Sequence, residues 1–263
     1  RQAEAEQRSL AEQERERAEG NLDLALAALD AVYLDAIGKD KLLGEALAKP
    51  DEEEIRLIMP PLLTDLEREL LKRGLDFYDQ FAQKNAAAPH AFVQTAQAYY
   101  RVGLLQGALG DTAAAAKAYH GAVERFEQLT REEPDNAEHF RGLAEARFAT
   151  GDYDQVIADY SEAIRLGPVD SEDYVGRAEA HLILKHYDQV IADCNEAIQI
   201  KPTSLAYRRR AQAYLELKEY EKAIADADEA IRLNPAYADA YVCKADAYLQ
   251  MADYERAVVE SSQ

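Results

Sequence analysis

The chain of 263 residues has no tryptophan and few residues that staple or interrupt a fold: two cysteines, twelve glycines and eight prolines. Cys194 and Cys243 are too few for a disulfide framework, show no metal-site spacing and leave the compartment open. Scarce Gly and Pro, in a background of Ala, Leu, Glu, Gln, Asp and Arg, favour helix, because these side chains lose little freedom there. Base is also in deficit, with 30 Lys and Arg against 50 Asp and Glu and a formal charge of −20. A surface this negative repels phosphate backbones and anionic lipid, so nucleic acid is not an expected partner. The plain reading of the charge is solubility. No apolar run approaches the ~20 residues of a membrane span, and no signal peptide is seen. The sequence begins at Arg1 and ends at Gln263 inside a helical pattern, so we expect it to be a piece of something longer.

What is present is a repeat. GDYDQVIADYSEAIRLGP (151–168), KHYDQVIADCNEAIQIKP (185–202) and KEYEKAIADADEAIRLNP (218–235) align, and ADYERAVVE (252–260) begins a fourth copy. The unit starts at Ala137, Ser171, Ser204 and Ala238, spacings of 34, 33 and 34 residues. Each unit holds two helical patterns. The first pairs an aromatic with a small residue, as in Phe140 and Ala144, Tyr174 and Ala178, Tyr207 and Ala211, Tyr241 and Ala245. The second has an inward face at i, i+4 and i+7: Val156, Tyr160 and Ala163, then Val190, Cys194 and Ala197, then Ala223, Ala227 and Ala230. Pro168, Pro202 and Pro235 end it, since proline lacks an amide hydrogen and disfavours helix before it.

These residues resemble the tetratricopeptide repeat (TPR) family. The resemblance implies an all-α fold, a right-handed superhelical solenoid of antiparallel helix pairs, with first helices lining a concave groove. Full units are expected at 137–170, 171–203 and 204–237, with a truncated fourth at 238–263. Residues 63–134 read as divergent, extended repeat-like helices. There Tyr99, Val102, Gly103 and Gly110 match a first helix, and Ala115, Tyr119 and Ala122 a second. Thr64 to Glu67 reads as a capping box, followed by Leu66, Leu70, Gly74, Phe77, Tyr78 and Phe81 at helical spacing. Residues 38–62, with Gly44, Pro50 and the acidic run Asp51–Glu54, read as an irregular connector. Residues 1–37 read as one long helix, polar to about Gly20 and then striped by Leu22, Leu26, Leu29, Tyr33 and Ile37. That stripe should dock on the array or on a second copy, the array being favoured.

A charge pattern runs through the repeat. Arg177, Arg210 and Lys244 stand where the first full unit has Leu143, and Asp159, Asp193 and Asp226 lie in the second helices before them. Pairing across successive units joins Ala118 to Leu143, Asp159 to Arg177, Asp193 to Arg210 and Asp226 to Lys244, always like with compatible. Structural inter-repeat salt bridges are therefore expected.

The search for chemistry finds no nucleophile elbow, phosphate loop or zinc motif, so no enzyme, cofactor or metal is expected. His181 and His186 are five apart and do not share a helix face, and His181 takes the place of Tyr214 and Tyr248 as a packing residue. Cys194 replaces Tyr160 and Ala227 as a small core residue. By the family's geometry, the groove would expose Tyr100, Arg141, Glu145, Phe148, Val175, Glu179, Leu182, Arg208, Arg209, Gln212, Val242 and Asp246. Arg141, Arg208 and Arg209 suit a bidentate carboxylate, so the expected partner is a protein or peptide offering an acidic segment or a free C-terminus. The plainer reading is that these arginines balance nearby acid. The chaperone-tail clamp of some family members is not carried over, because Glu145, Glu179, Gln212 and Asp246 stand where that clamp has Asn.

Residues 18–134 also resemble the region after the kinase domain of large bacterial Ser/Thr protein kinases, on AEGNLDLALAALDAVYLDAIG, LERELLKRGLDFYDQFAQKN and AYYRVGLLQGALGDTAAAAKAYHGAVERFEQL. No kinase motif occurs in the sequence itself. Two functions are thus expected. One is a peptide- or protein-binding scaffold. The other is the sensory or docking region of a receptor-like kinase, extracytoplasmic in that case and cytoplasmic otherwise.

Overall fold

The computed structural model describes residues 65–85 and 91–261. The expected long helix at 1–37, its docking stripe, the connector at 38–62 and Thr64 lie outside the described residues. Ten helices and no strand occur among those described, divided into two compact units at Pro134.

The first unit contains α1 (Asp65–Asn85), α2 (Phe92–Ala108) and α3 (Thr112–Glu132). Leu71, Tyr78 and Ala82 of α1 meet Ala98, Val102, Leu105 and Ala108 of α2 and Ala118 of α3. The buried face of α1 keeps Gly74, Tyr78 and Phe81 of the expected stripe but differs at its edges. Leu71 and Leu75 pack inward, whereas Phe77 is exposed and lays its ring edge-on to Tyr78 at 5.4 Å. A stripe with apolar residues on neighbouring positions permits both phases, and the docking of α2 selects one. Gly103 is a contact site, because a Cβ there would stand 2.5 Å from the buried Tyr119 ring.

The second unit alternates first and second helices: α4 (Ala137–Thr150), α5 (Tyr153–Leu166), α6 (Ser171–Ile183), α7 (Tyr187–Ile200), α8 (Ser204–Glu216), α9 (Tyr220–Leu233) and α10 (Ala238–Ser261). Asn136, Asp170 and Thr203 cap three first helices by accepting from Glu138, Glu172 and Ala206 backbone N–H groups. The second helices α5, α7 and α9 end two residues before Pro168, Pro202 and Pro235. In the three full units the small residues Ala144, Ala178 and Ala211 are buried with the second-helix faces, whereas Tyr241 and Ala245 of the fourth pair are exposed. Ala178, Val190, Cys194 and Ala213 form one core layer, with Leu182, Tyr187 and Ile191 at its edge. Val156 and Val190 are fully buried, each contributing roughly 1.5–3 kcal/mol of apolar transfer.

The turn between paired helices is the same each time. A left-handed residue follows the first helix, and the next amide donates back five residues: Asp111 to Gln106, Asp152 to Arg147, His186 to His181 and Glu219 to Tyr214. This is the Schellman closure, which satisfies carbonyls orphaned at a helix end. Gly110 and Gly151 hold the left-handed place in two turns, but Lys185 and Lys218 hold it in the others, both at φ 61°. An L side chain pays roughly 1–2 kcal/mol there, against a smaller entropic cost for glycine. Lys185→Gly and Lys218→Gly are each expected to raise the unfolding free energy by about 0.5–1 kcal/mol. A higher urea midpoint at unchanged slope would show it.

In the truncated fourth unit Ala252 holds the place equivalent to Lys218. There α10 runs unbroken from Ala238 to Ser261. Alanine has no preference for the left-handed conformation and is the strongest helix former, so the local sequence continues the helix.

Candidate binding surface

The buried carboxylates of the second helices organise the repeats. Asp159, Asp193 and Asp226 are 5–7% exposed. Arg177 grips Asp193 with Nε at 3.0 Å and Nη2 at 2.6 Å, and Arg210 grips Asp226 with both nitrogens at 2.7 Å. Arg147 Nη1 reaches both oxygens of Asp159, at 2.9 and 2.7 Å. These pairs lie within a repeat, which corrects the expected Asp159–Arg177, Asp193–Arg210 and Asp226–Lys244 bridges. Leu143 misled the inference. Arg147, one helical turn later, shares its face and supplies the base that Leu143 lacks. The link between repeats is real but uses other atoms. Arg177 Nη1 donates to Ser161, Arg210 Nη1 to Asn195 and Lys244 Nζ to Asp228, all on the second helix of the preceding repeat. The guanidinium carbons of Arg177 and Arg210 also lie 5.5 and 5.4 Å from the ring centroids of Tyr174 and Tyr207.

The expected groove residues separate into three groups. Val175 is buried with Ala197 and Ala206. Leu182 packs beside Val190, and Phe148 sits edge-on to Tyr153 at 5.4 Å, so these two are also packing residues. Tyr100 belongs to the first unit, 5.8 Å from the Tyr119 ring.

The arginines form the second group, and each already has acid. Arg141 makes a bidentate contact to Asp173 in the next first helix, at 2.6 and 3.0 Å, and also donates to Glu138 and the Pro168 carbonyl. The Asp173 hydrogen bond is the main cause that raises the Arg141 pKa further. Arg209 pairs with Glu179 of the preceding first helix. Arg208 donates to Tyr237 at 3.2 Å and to Gln212 at 2.8 Å, and meets Asp239 of the next first helix at 3.4 Å. The sequence reading missed Asp173 and Asp239. Their signal was an acid in the first turn of the following helix, a place that reads equally as helix capping.

The third group is solvent-exposed. Glu145, Val242 and Asp246 are exposed, and α10 presents Tyr241, Val242, Tyr248 and Leu249 at 49–65% exposure. The equivalent residues of α6 and α8 are buried or half-buried.

Neither cysteine has the lowered pKa of a reactive thiol. Burial pushes the Cys194 thiol up to about 12 and raises that of Cys243. Among the described residues, no three His, Cys, Asp or Glu side chains cluster as metal ligands, and no helix is long and apolar enough to cross a membrane.

Profiles of the tetratricopeptide repeat match residues 103–171, 204–237 and 227–259. Tetratricopeptide repeats are thus recognised over these residues, and the described helices have the all-helical solenoid fold of that class. A thermophilic TPR protein of Thermus thermophilus is similar at 20% identity, covering 70% of this chain and 91% of that one, with a TM-score of 0.51. MamA is similar at 21% identity, covering 60% and 88%, with a TM-score of 0.50. These two likenesses show the fold. The TPR2B domain of yeast Sti1, in a complex with pHsp70, is 30% identical over 43% of this chain and 97% of its own, with a TM-score of 0.42. No curated protein matches the chain.

Proposed function

We propose that the chain is a non-catalytic interaction scaffold whose first helices hold a peptide or a protein segment. The observation that carries this reading is the open face of α10. Four large apolar side chains stand exposed there, and Asp239 at the start of the same helix meets Arg208, which also donates to Tyr237. An exposed apolar patch next to an oriented cation is the chemistry of a peptide site.

The ligand class we infer is an acidic segment or a free C-terminus, and Arg208 is its anchor. Arg141 and Arg209 are held by acids that are themselves largely covered, Asp173 at 2% and Glu179 at 31% side-chain exposure. Asp239 is 60% exposed and its contact to Arg208 is long, so a ligand carboxylate can replace it. The test uses a fluorescent heptapeptide of Glu and Leu with a free C-terminus, together with its Lys-for-Glu twin. The acidic peptide should bind, and Arg208→Glu should weaken it at least about tenfold, the value of one charge-assisted hydrogen bond. Equal binding by both peptides, or by Arg208→Glu, would remove Arg208 and the acidic class together.

The kinase-associated reading rests on the resemblance of residues 18–134 alone, and the comparisons lend it no support. A kinase domain encoded in the same reading frame would make the scaffold a docking module of that enzyme and set its compartment.

A further inference from the structure

The turn between α6 and α7 differs from its counterparts in what it brings together. A Schellman closure places the side chain five residues on against the one at the start of the last turn. In the other turns those pairs are Gln106 with Asp111, Arg147 with Asp152 and Tyr214 with Glu219. Here they are His181 and His186, whose Nδ1 atoms stand 3.4 Å apart with the ring planes at 53°. Spacing of five excludes a shared face on a continuous helix, which is why the sequence reading set the pair aside. The left-handed Lys185 ends the helix and folds His186 back.

The separation has a chemical meaning. Two imidazole nitrogens bound to one tetrahedral ion at about 2.0–2.1 Å lie about 3.3–3.4 Å apart. The inner ring turns its Nδ1 toward His186, while its Nε2 lies 3.9 Å from an Asp193 oxygen, outside hydrogen-bond range. Asp193 is already neutralised by Arg177, which leaves little net charge behind the ring. His186 is exposed and its side chain makes no capping bond to α7.

We propose that His181 and His186 form a two-imidazole site for a divalent transition-metal ion, held through their two facing Nδ1 atoms. Imidazole pairs select zinc, copper(II) and nickel over magnesium and calcium. Water completes the shell in the free protein, and a donor from a bound partner can take its place.

The whole chain is titrated calorimetrically with zinc chloride, nickel chloride and magnesium chloride. One saturable site for zinc and nickel is expected, with no heat from magnesium. His186→Asn keeps a good N-cap residue and should lose at least about tenfold in zinc affinity, since losing even an outer-shell partner costs that much. Nitrogen-15 imidazole spectra should shift at His181 and His186 on adding zinc. The proposal is overturned if zinc shows no saturable binding, if His186→Asn binds as well as the parent, or if the shifted imidazoles are those of His120 or His139.

Discussion

Replacing Gly176 by valine is expected to lower the unfolding free energy of the second unit by about 3 kcal/mol, the upper end of the cost of overpacking a core. Gly176 lies in α6 and touches Tyr160 of the preceding repeat. Even a bare Cβ there would stand 2.4 Å from Tyr160 Cζ and 2.5 Å from its hydroxyl. The ring has nowhere to go, because Tyr160 is 8% exposed and packed among Ala144, Val156 and Ala180. The large and small partners trade along the array. In the next repeat the same two places hold Cys194 and Arg209, and in the one after that Ala227 and Cys243. Tyr160→Ala alone should also cost several kcal/mol through the cavity it leaves. The combined Tyr160→Ala and Gly176→Val protein should be more stable than either single variant. Urea unfolding of the four proteins measures the cycle. Simple additivity would mean that the two side chains do not share this space.

Much of the fold is legible in the sequence because the repeat constrains it several times over. The starts of α4, α6, α8 and α10 fall at Ala137, Ser171, Ser204 and Ala238, where a 34-residue register places them. Caps, prolines and small residues all agree there, and agreement between levels is what makes a sequence readable. Contacts between long side chains are harder. Arg147 can serve in place of residue 143 because an arginine spans a full helical turn, so counting charges position by position gives the wrong partner for Asp159. The groove list fails in part for a related reason. Val175 and Leu182 occupy first-helix places that face a groove in the family, yet here the neighbouring helices cover them. His181 and His186 are set aside on spacing because a turn, not a helix face, makes them neighbours.

Removing the carboxylate of Asp226 tests what the buried pairs contribute. Asp226→Ala leaves Arg210 facing only Asn195 and the Tyr207 ring, with its charge no longer matched. Breaking a buried pair from one side costs about 3–5 kcal/mol, and the lower figure applies because 18% of the Arg210 side chain keeps contact with water. Asn195→Ala should cost only about 1 kcal/mol, since the neighbouring-repeat bond is one of several held by the same guanidinium. Losing both charges together is a different matter. Replacing Arg210 by Met and Asp226 by Leu removes the desolvation cost along with the attraction, so the double variant should recover most of the loss. Its expected defect lies elsewhere. Arg210 is the atom set that ties the second helix of its own repeat to the second helix before it, so the apolar pair keeps the stability and loses that directional link. Hydrogen exchange at α7 and α9 separates the two effects. Protection should fall throughout the unit in Asp226→Ala, and chiefly at the junction of these helices in the double variant. A double variant as unstable as Asp226→Ala would show that the ion pair is a net source of stability and not mainly a device of register.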